Sequence, residues 1–303
     1  MFVHRLERRP VSELIHVEVL SLAWMNLPRA IRSPAQGRLH TAAVPHGKGV
    51  EMRIVVVGGT GLVGSKLMRA LNDRGHDAVA AAPSVGVDAV TGKGLPVALA
   101  GASVVVDVSN SPSFEETAAT EFFRASTTNL LAAEATAGVA HHVAISVVGT
   151  ERLAPQSGYF RAKLLQEELI GAGSIPYTIV RATQFFEFLT TIADSATVGD
   201  VVRLPEALIQ PMASVDVAEA AAIAAGHNPA AGIVEVGGPK AFRLPDLIRI
   251  ALTARGDVRQ VISDPKAQYW GVDIDEHTLI PGSGASLFDT TFEDWLLETA
   301  ARS

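Results

Sequence analysis

Three side chains in the middle of the chain could perform acid–base chemistry together. Tyr159 and Lys163 stand four residues apart in Tyr159-Phe-Arg-Ala-Lys163, and Ser146 precedes the tyrosine by thirteen residues. An (i, i+4) pair shares one helix face, which brings the Lys163 ammonium close to the Tyr159 phenol. A free phenol titrates near pH ~10. A neighbouring cation favours the phenolate and lowers that value, which suits the group to proton transfer at neutral pH. Ser146 then holds a substrate oxygen beside the phenol. Each residue alone has an ordinary reading, the pair as a surface contact and the serine as a turn former. Their order and their place on the scaffold argue for one catalytic set.

The scaffold announces itself upstream, where an apolar strand, Ile54 to Val57, runs straight into Gly58-Gly59-Thr60-Gly61-Leu62-Val63-Gly64. A helical pattern follows, with Val63, Leu67, Ala70 and Leu71 on one face. Gly58 permits a tight strand-to-helix turn, and Gly61 lets the backbone approach a phosphate without a Cβ between them. Gly64 lets the helix sit close on the strand, and the helix N-terminus attracts the anion. Strand, glycine turn and helix together predict a site for a dinucleotide pyrophosphate.

From Met52 onward strands and helices alternate. A helix is expected over 62–74, a strand over 78–82, and a turn-rich stretch over 83–94 that contains Asp88. Then follow a short helix at 95–99, a buried strand at 103–108, a long helix at 114–136 and a second buried strand at 143–148. A helix at 160–170 and a strand at 177–181 complete the alternation, which implies an α/β fold with a doubly wound parallel sheet and right-handed crossovers. Ligands then bind at the carboxyl ends of the strands, where Ser146 lies. After Thr183 the pattern loosens into a helix at 216–225, a strand at 232–236, and helices at 245–254 and 292–299. Residues 184–303 read as a small C-terminal lobe over the sheet.

Composition removes several classes of function. The chain has 303 residues, 48% of them apolar and 19% charged, so a sizeable core can form. A net charge of −7 gives no electrostatic footprint for nucleic acid. The absence of cysteine excludes disulfides, thiol nucleophiles and thiolate metal sites. No apolar run approaches the ~20 residues of a membrane helix. These features point to a cytoplasmic protein acting on a small molecule, with neither nucleic acid nor membrane as partner, and they leave the oligomeric state open. Residues 1–51 are rich in arginine and proline, yet Glu7, Glu13 and Glu18 argue against a transit peptide. They read as a poorly ordered extension, with the folded domain spanning 52–303.

At this point the sequence resembles the short-chain dehydrogenase/reductase superfamily, in its atypical and extended branches that include NmrA-like proteins. The resemblance covers about residues 52–300. It rests on Gly58 to Gly64, Asp88, Asn129-Leu-Leu-Ala-Ala, Ser146, Tyr159-x-x-x-Lys163, Tyr177-Thr-Ile-Val-Arg181, Asp216-Val-Ala and Gly238-Pro239. It implies a Rossmann-type fold, a nicotinamide cofactor and an oxidoreductase acting on a small, apolar carbonyl or hydroxyl compound through Ser146, Tyr159 and Lys163. It also implies that Lys163 binds the nicotinamide ribose, that Asp88 contacts the adenine, and that Ser109 and Asn110 line the cofactor path.

Two positions depart from the family. Where many relatives carry an active-site asparagine this chain has Phe123, which cannot relay a proton. The second strand ends in Ala82-Pro83-Ser84, with no carboxylate for a free ribose 2′-hydroxyl and no arginine for a 2′-phosphate. Lack of repulsion, with Ser84 as a donor, favours NADP(H) over NAD(H). Two rival readings use the same residues: an NmrA-like nucleotide sensor without turnover, and an epimerase or isomerase using tightly held NAD. Elsewhere bland readings prevail. Adjacent His141 and His142 point apart and suggest no metal site, and Asp216 is expected to cap a helix. Phe185, Phe186 and Phe188 suit either core packing or an apolar substrate wall.

Overall fold

Short runs of valine and isoleucine dictate strands covered on both faces, and the fold is wound around them. The computed structural model describes residues 51–301; the extension proposed for residues 1–51 lies outside the described residues but for Glu51. Strands β1 (Arg53–Val57), β2 (Asp77–Ala81), β3 (Val104–Asp107), β4 (His141–Val147), β5 (Tyr177–Ala182), β9 (Gly232–Gly237) and β12 (Ser286–Leu287) form one sheet. Its order is β12-β9-β5-β4-β3-β1-β2, and every pairing is parallel. Val104 to Val106 at the centre are almost completely buried.

Helices cover both faces. On one face α1 (Gly64–Asp73) lays Leu67 and Leu71 against Ile54 and Val56, and the alanine-rich α7 (Ser214–Gly226) packs beside it. On the other face the short α2 (Leu95–Ala98) and the long α3 (Glu116–Ala137) bury Leu95 and Leu130 against Val55, Val57 and Val105. Helix α5 (Gly158–Ala172) packs along α3, after the single turn α4 (Thr150–Leu153). Among the described residues no helix is long and apolar enough to cross a membrane.

The segment after Thr183 divides between two places. Strands β9 and β12 extend the main sheet, and α7 covers it. The remainder packs around its own core: α6 (Leu189–Ser195), a sheet of β6 (Thr197–Val198), β7 (Val201–Leu204) and β11 (Gln260–Ser263), and the pair β8 (Leu208–Ile209) and β10 (Phe242–Arg243). Helices α8 (Leu244–Thr253) and α9 (Phe292–Ala300) close it, with the Phe186 ring packed at a tilt against Phe292 and Trp295. Asp216 is not the cap expected of it. It sits in the first turn of α7 and accepts from Thr290 Oγ1 at 2.8 Å, while Glu187 accepts from the Ser214 N–H that opens the helix.

The two histidines at the entrance of β4 do point apart. His141 Nε2 lies 2.9 Å from Thr178 Oγ1, and His142 Nδ1 lies 2.8 Å from Glu134 Oε1 of α3 in full burial. Burial raises the Glu134 carboxyl above its ordinary range. Burial also disfavours a charged His142, but the Glu134 carboxylate outweighs it, so that imidazole too is raised. Each group is tolerable inside the protein only because of the other. Glu134→Leu or His142→Leu alone should therefore cost about 3–5 kcal/mol, and the double replacement clearly less than the sum. Urea unfolding of the two single variants and the double variant measures this cycle; additive losses would show that the pair is not coupled.

Candidate functional site

Strand β2 lies on one side of β1 and β3 on the other, so successive crossovers leave β1 in opposite directions. A crevice opens above the carboxyl ends of such strands. Here it is a cleft of about 830 Å³. Gly58, Thr60, Gly61, Leu62, Val63 and Gly64 line one end of it. Gly58 has φ of 81°, and its backbone packs against that of Ser109. A Cβ on Gly64 would lie 2.1 Å from the Gly58 carbonyl oxygen, so the turn closes only around glycine. Gly59 faces Ala80 instead of the cleft. No side chain caps the start of α1, which leaves that end to an anion.

Around this turn the other expected cofactor residues take distinct places. Ser109 and Asn110 follow β3 and line the cleft. Ser109 Oγ is buried without a hydrogen-bond partner among the described residues. Ser84, expected to meet the cofactor, is exposed in a helical turn after β2 and does not line the cleft, but its hydroxyl is 3.2 Å from Oγ1 of Thr60, which does. The Asp88 carboxylate lines the cleft while ordering its own loop, accepting from Val90 N at 2.9 Å and Thr91 Oγ1 at 2.9 Å. Asn129 of α3 pins the same loop through the Ala89 and Val90 carbonyls.

Helix α5, capped by Ser157, carries Tyr159 and Lys163 to the opposite wall. Tyr159 Oη donates to Asn110 Oδ1 at 2.9 Å. Burial pushes the phenol up to about 12, against the opposing pull of that hydrogen bond. The hydrogen bond of the phenol thus runs to Asn110 and not to Lys163. Lys163 Nζ donates to the Ile145 carbonyl at 2.9 Å and to Gln166 Oε1 at 2.6 Å, and it lies 4.8 Å from the centre of the Phe123 ring. Burial pulls the ammonium down to about 8, despite the attraction of Asp107 and Glu167. Gln166 Nε2 passes the connection to Asp107 Oδ2, and Asp107 Oδ1 accepts from Ser109 N. One buried chain of hydrogen bonds thus joins α5 to the cofactor side of the cleft.

Ser146 lines the same cleft, but its hydroxyl donates to Glu167. Glu167 in turn accepts both arms of Arg181, at 3.0 and 2.6 Å. Two residues that the sequence motifs did not single out stand beyond it, at the end of β5. Thr183 Oγ1 and both amide atoms of Gln184 are buried in the cleft lining without partners among the described residues. Buried polar groups are normally paired, and these atoms have almost no accessible surface even though their residues belong to the cleft lining. Their one sequence signal is position, directly after a strand on the ligand edge. Of the three phenylalanines, Phe186 is core while Phe185 and Phe188 line the cleft, stacked at 5.4 Å. Among the described residues no group of His, Asp and Glu is arranged to hold a metal ion.

The chain matches no protein-family model and no curated protein sequence. Solved structures do match it. MoeE5, in complex with UDP-glucose and NAD, is 17% identical over 82% of this chain and 99% of its own, with a TM-score of 0.62. A short-chain dehydrogenase/reductase superfamily protein from Agrobacterium tumefaciens with bound NAD is 18% identical over 82% of this chain and 96% of its own, with a TM-score of 0.59. The dTDP-4-dehydrorhamnose reductase of Bacillus anthracis, in complex with NADP, is 14% identical over 84% of this chain and 99% of its own, with a TM-score of 0.62. The fold is the Rossmann-type fold of these short-chain dehydrogenase/reductase structures.

The protonation of Tyr159 is directly measurable. Absorbance titration of the wild type against Tyr159→Phe should show that this phenol stays protonated beyond pH 10 and ionises near 12. Ionisation at or below ~10, the ordinary value for a phenol, would mean that Lys163 activates it after all.

Proposed function

We propose that this protein is an NAD(P)(H)-dependent oxidoreductase that reduces a small, apolar carbonyl compound, or oxidises the corresponding alcohol. The observation that supports the reading is a shared cleft: Tyr159, the glycine turn, Ser109, Thr183 and Gln184 all line it. The residues present fit a nicotinamide dinucleotide. The turn from Gly58 to Gly64 receives the pyrophosphate, and Ser84 and Asp88 flank the adenosine end. Ser109, Asn110 and Lys163 line the path to the nicotinamide, where Thr183 and Gln184 offer hydrogen bonds.

When bound, the reduced nicotinamide supplies a hydride to the carbonyl carbon. Tyr159 gives its proton to the carbonyl oxygen, and water returns a proton to the phenolate. The phenol carries its proton at neutral pH, ready to donate it when the carbonyl is reduced. Asn110 orients the phenol, and Lys163, which lines the path to the nicotinamide, holds its ribose. Ser146 acts from the strand below, either on the substrate oxygen or by fixing Glu167. Asp88 and Lys163 are the charged side chains of the lining, so a sugar-nucleotide epimerase, which must hold a diphosphate at its substrate end, is the weaker reading. Oxidation of NADPH or NADH against apolar aldehydes and ketones tests the proposal. Tyr159→Phe should lower kcat by about 10²–10⁴-fold and leave cofactor Kd within about twofold. A variant with wild-type kcat would remove Tyr159 as the acid.

NADP(H) is the preferred cofactor on this reading. The strand end offers a 2′-phosphate no like charge, and the hydroxyls of Thr60 and Ser84 meet there. No arginine or lysine stands in Ala82-Pro83-Ser84, so discrimination rests on a hydrogen bond and should amount to about one to two powers of ten. Ser84→Asp should reverse it by repelling the phosphate and accepting from a free ribose hydroxyl. Calorimetric titration of both cofactors into both proteins decides the matter; tighter NADH binding by the wild type would contradict it.

A further inference from the structure

Several aromatic rings line the cleft around Tyr159. Phe114, Phe122, Phe185, Phe188, Tyr269 and Trp270 line it. Phe114, Phe188 and Trp270 are 60%, 45% and 42% exposed, so these rings gain little from the protein's own core. They are already arranged in flat pairs. Phe114 stacks on Trp270 at 5.9 Å with 24° between the planes, and its ring lies 4.9 Å from that of Tyr159. Phe185 and Phe188 stack at 5.4 Å with 23° between the planes.

The backbone beneath Trp270 points the same way. Tyr269 and Val272 exchange two hydrogen bonds, at 2.9 and 3.1 Å, around a two-residue turn. Both central residues have positive φ, 51° at Trp270 and 78° at Gly271. Such turns favour Asn-Gly or Gly-Gly, and a bulky side chain in this conformation is an outlier. Such strain persists where the surroundings impose it, and it clusters at ligand clamps. Here buried Tyr269 and Val272 anchor the turn in the lobe core, and its tip carries the indole to the mouth of the cleft beside Tyr159.

We propose that the substrate is an uncharged, planar, fused-ring aromatic carbonyl compound, clamped between the Phe114–Trp270 pair and the Phe185–Phe188 pair with its carbonyl oxygen at Tyr159. The carbonyl rests on the oxidoreductase reading above; the ring rests on the aromatic lining alone. With Asp88 and Lys163 as its charged side chains, the lining has no cation free to hold a diphosphate. The structural neighbour bound to UDP-glucose and NAD shares the fold, and on this reading not the substrate class.

The test compares naphthaldehyde with its fully saturated decalin counterpart, of the same carbon skeleton but not flat, in the presence of NADPH. Stacking that only the flat ring can make should raise kcat/KM for naphthaldehyde by about tenfold. Trp270→Leu should bring the ratio close to one while NADPH Kd, measured by calorimetry, stays within about twofold. Calorimetry of both aldehydes on the NADP-loaded protein reads ring preference without turnover. Equal kcat/KM for the two aldehydes in the wild type would overturn the aromatic class and leave the oxidoreductase standing. Preferential binding of naphthaldehyde with no NADPH consumption would overturn the oxidoreductase and leave the aromatic ligand standing. Tight binding of UDP-glucose to the holoprotein would overturn the proposed class outright.

Discussion

The structure depends on how one helix buries its polar face. Lys163, Gln166 and Glu167 of α5 all turn toward the sheet and are nearly inaccessible. Charged side chains there are unfavourable unless each finds a partner. Lys163 meets the Ile145 carbonyl, Gln166 meets Asp107, and Glu167 meets Ser146 and Arg181. These contacts leave α5 one rotation and one height against the strand ends. Tyr159, one turn from Lys163, is thereby fixed in the cleft at hydrogen-bond distance from Asn110. A hydrophobic face could bind α5 as tightly, but it would specify the register less sharply.

The same network explains why the lysine and the phenol behave differently from a simple surface pair. Lys163 is spent on partners below the cleft, and Phe123, beneath its ammonium, offers a π face but no proton. The phenol, partly buried among Phe114, Phe123 and Phe160, keeps its proton strongly. On the proposed function, that proton is the one given to the substrate oxygen. The lobe contributes the rest of the enclosure: Phe188 leads into α6, and the Tyr269–Val272 turn brings Trp270 over the opening.

Much of this was legible in the sequence, because the relevant signals are local. The glycine turn from Gly58 to Gly64 is read from a strand, a turn and a helix that touch in sequence. The valine-rich strands β1, β3 and β4 and the long helix α3 were legible for the same reason, with ends displaced by at most two residues. Gly64 rather than Leu62 begins α1, since Leu62 and Val63 still belong to the phosphate turn. What escaped is long-range. Ser146 reads as a substrate contact, and no sequence signal shows that its hydroxyl donates to Glu167, one helix away. Thr183 and Gln184 carry no motif, and only the empty hydrogen-bonding capacity of their buried atoms marks them. Strands of two residues such as β6, β8 and β12 are too short to show a period. The Trp270-Gly271 turn hides because tryptophan is the last residue that turn chemistry would suggest.

One arrangement underlies the proposed function: α5 presents Tyr159 to the same cleft that the glycine turn opens for a dinucleotide. A crystal structure of the complex with NADPH tests it most directly. The pyrophosphate should lie on the backbone of residues 58–64, Ser109 Oγ and the Gln184 amide should gain hydrogen-bond partners, and the nicotinamide should face Tyr159. Cofactor density elsewhere, or a nicotinamide turned away from Tyr159 with Ser109 and Gln184 still unpartnered, would contradict the account.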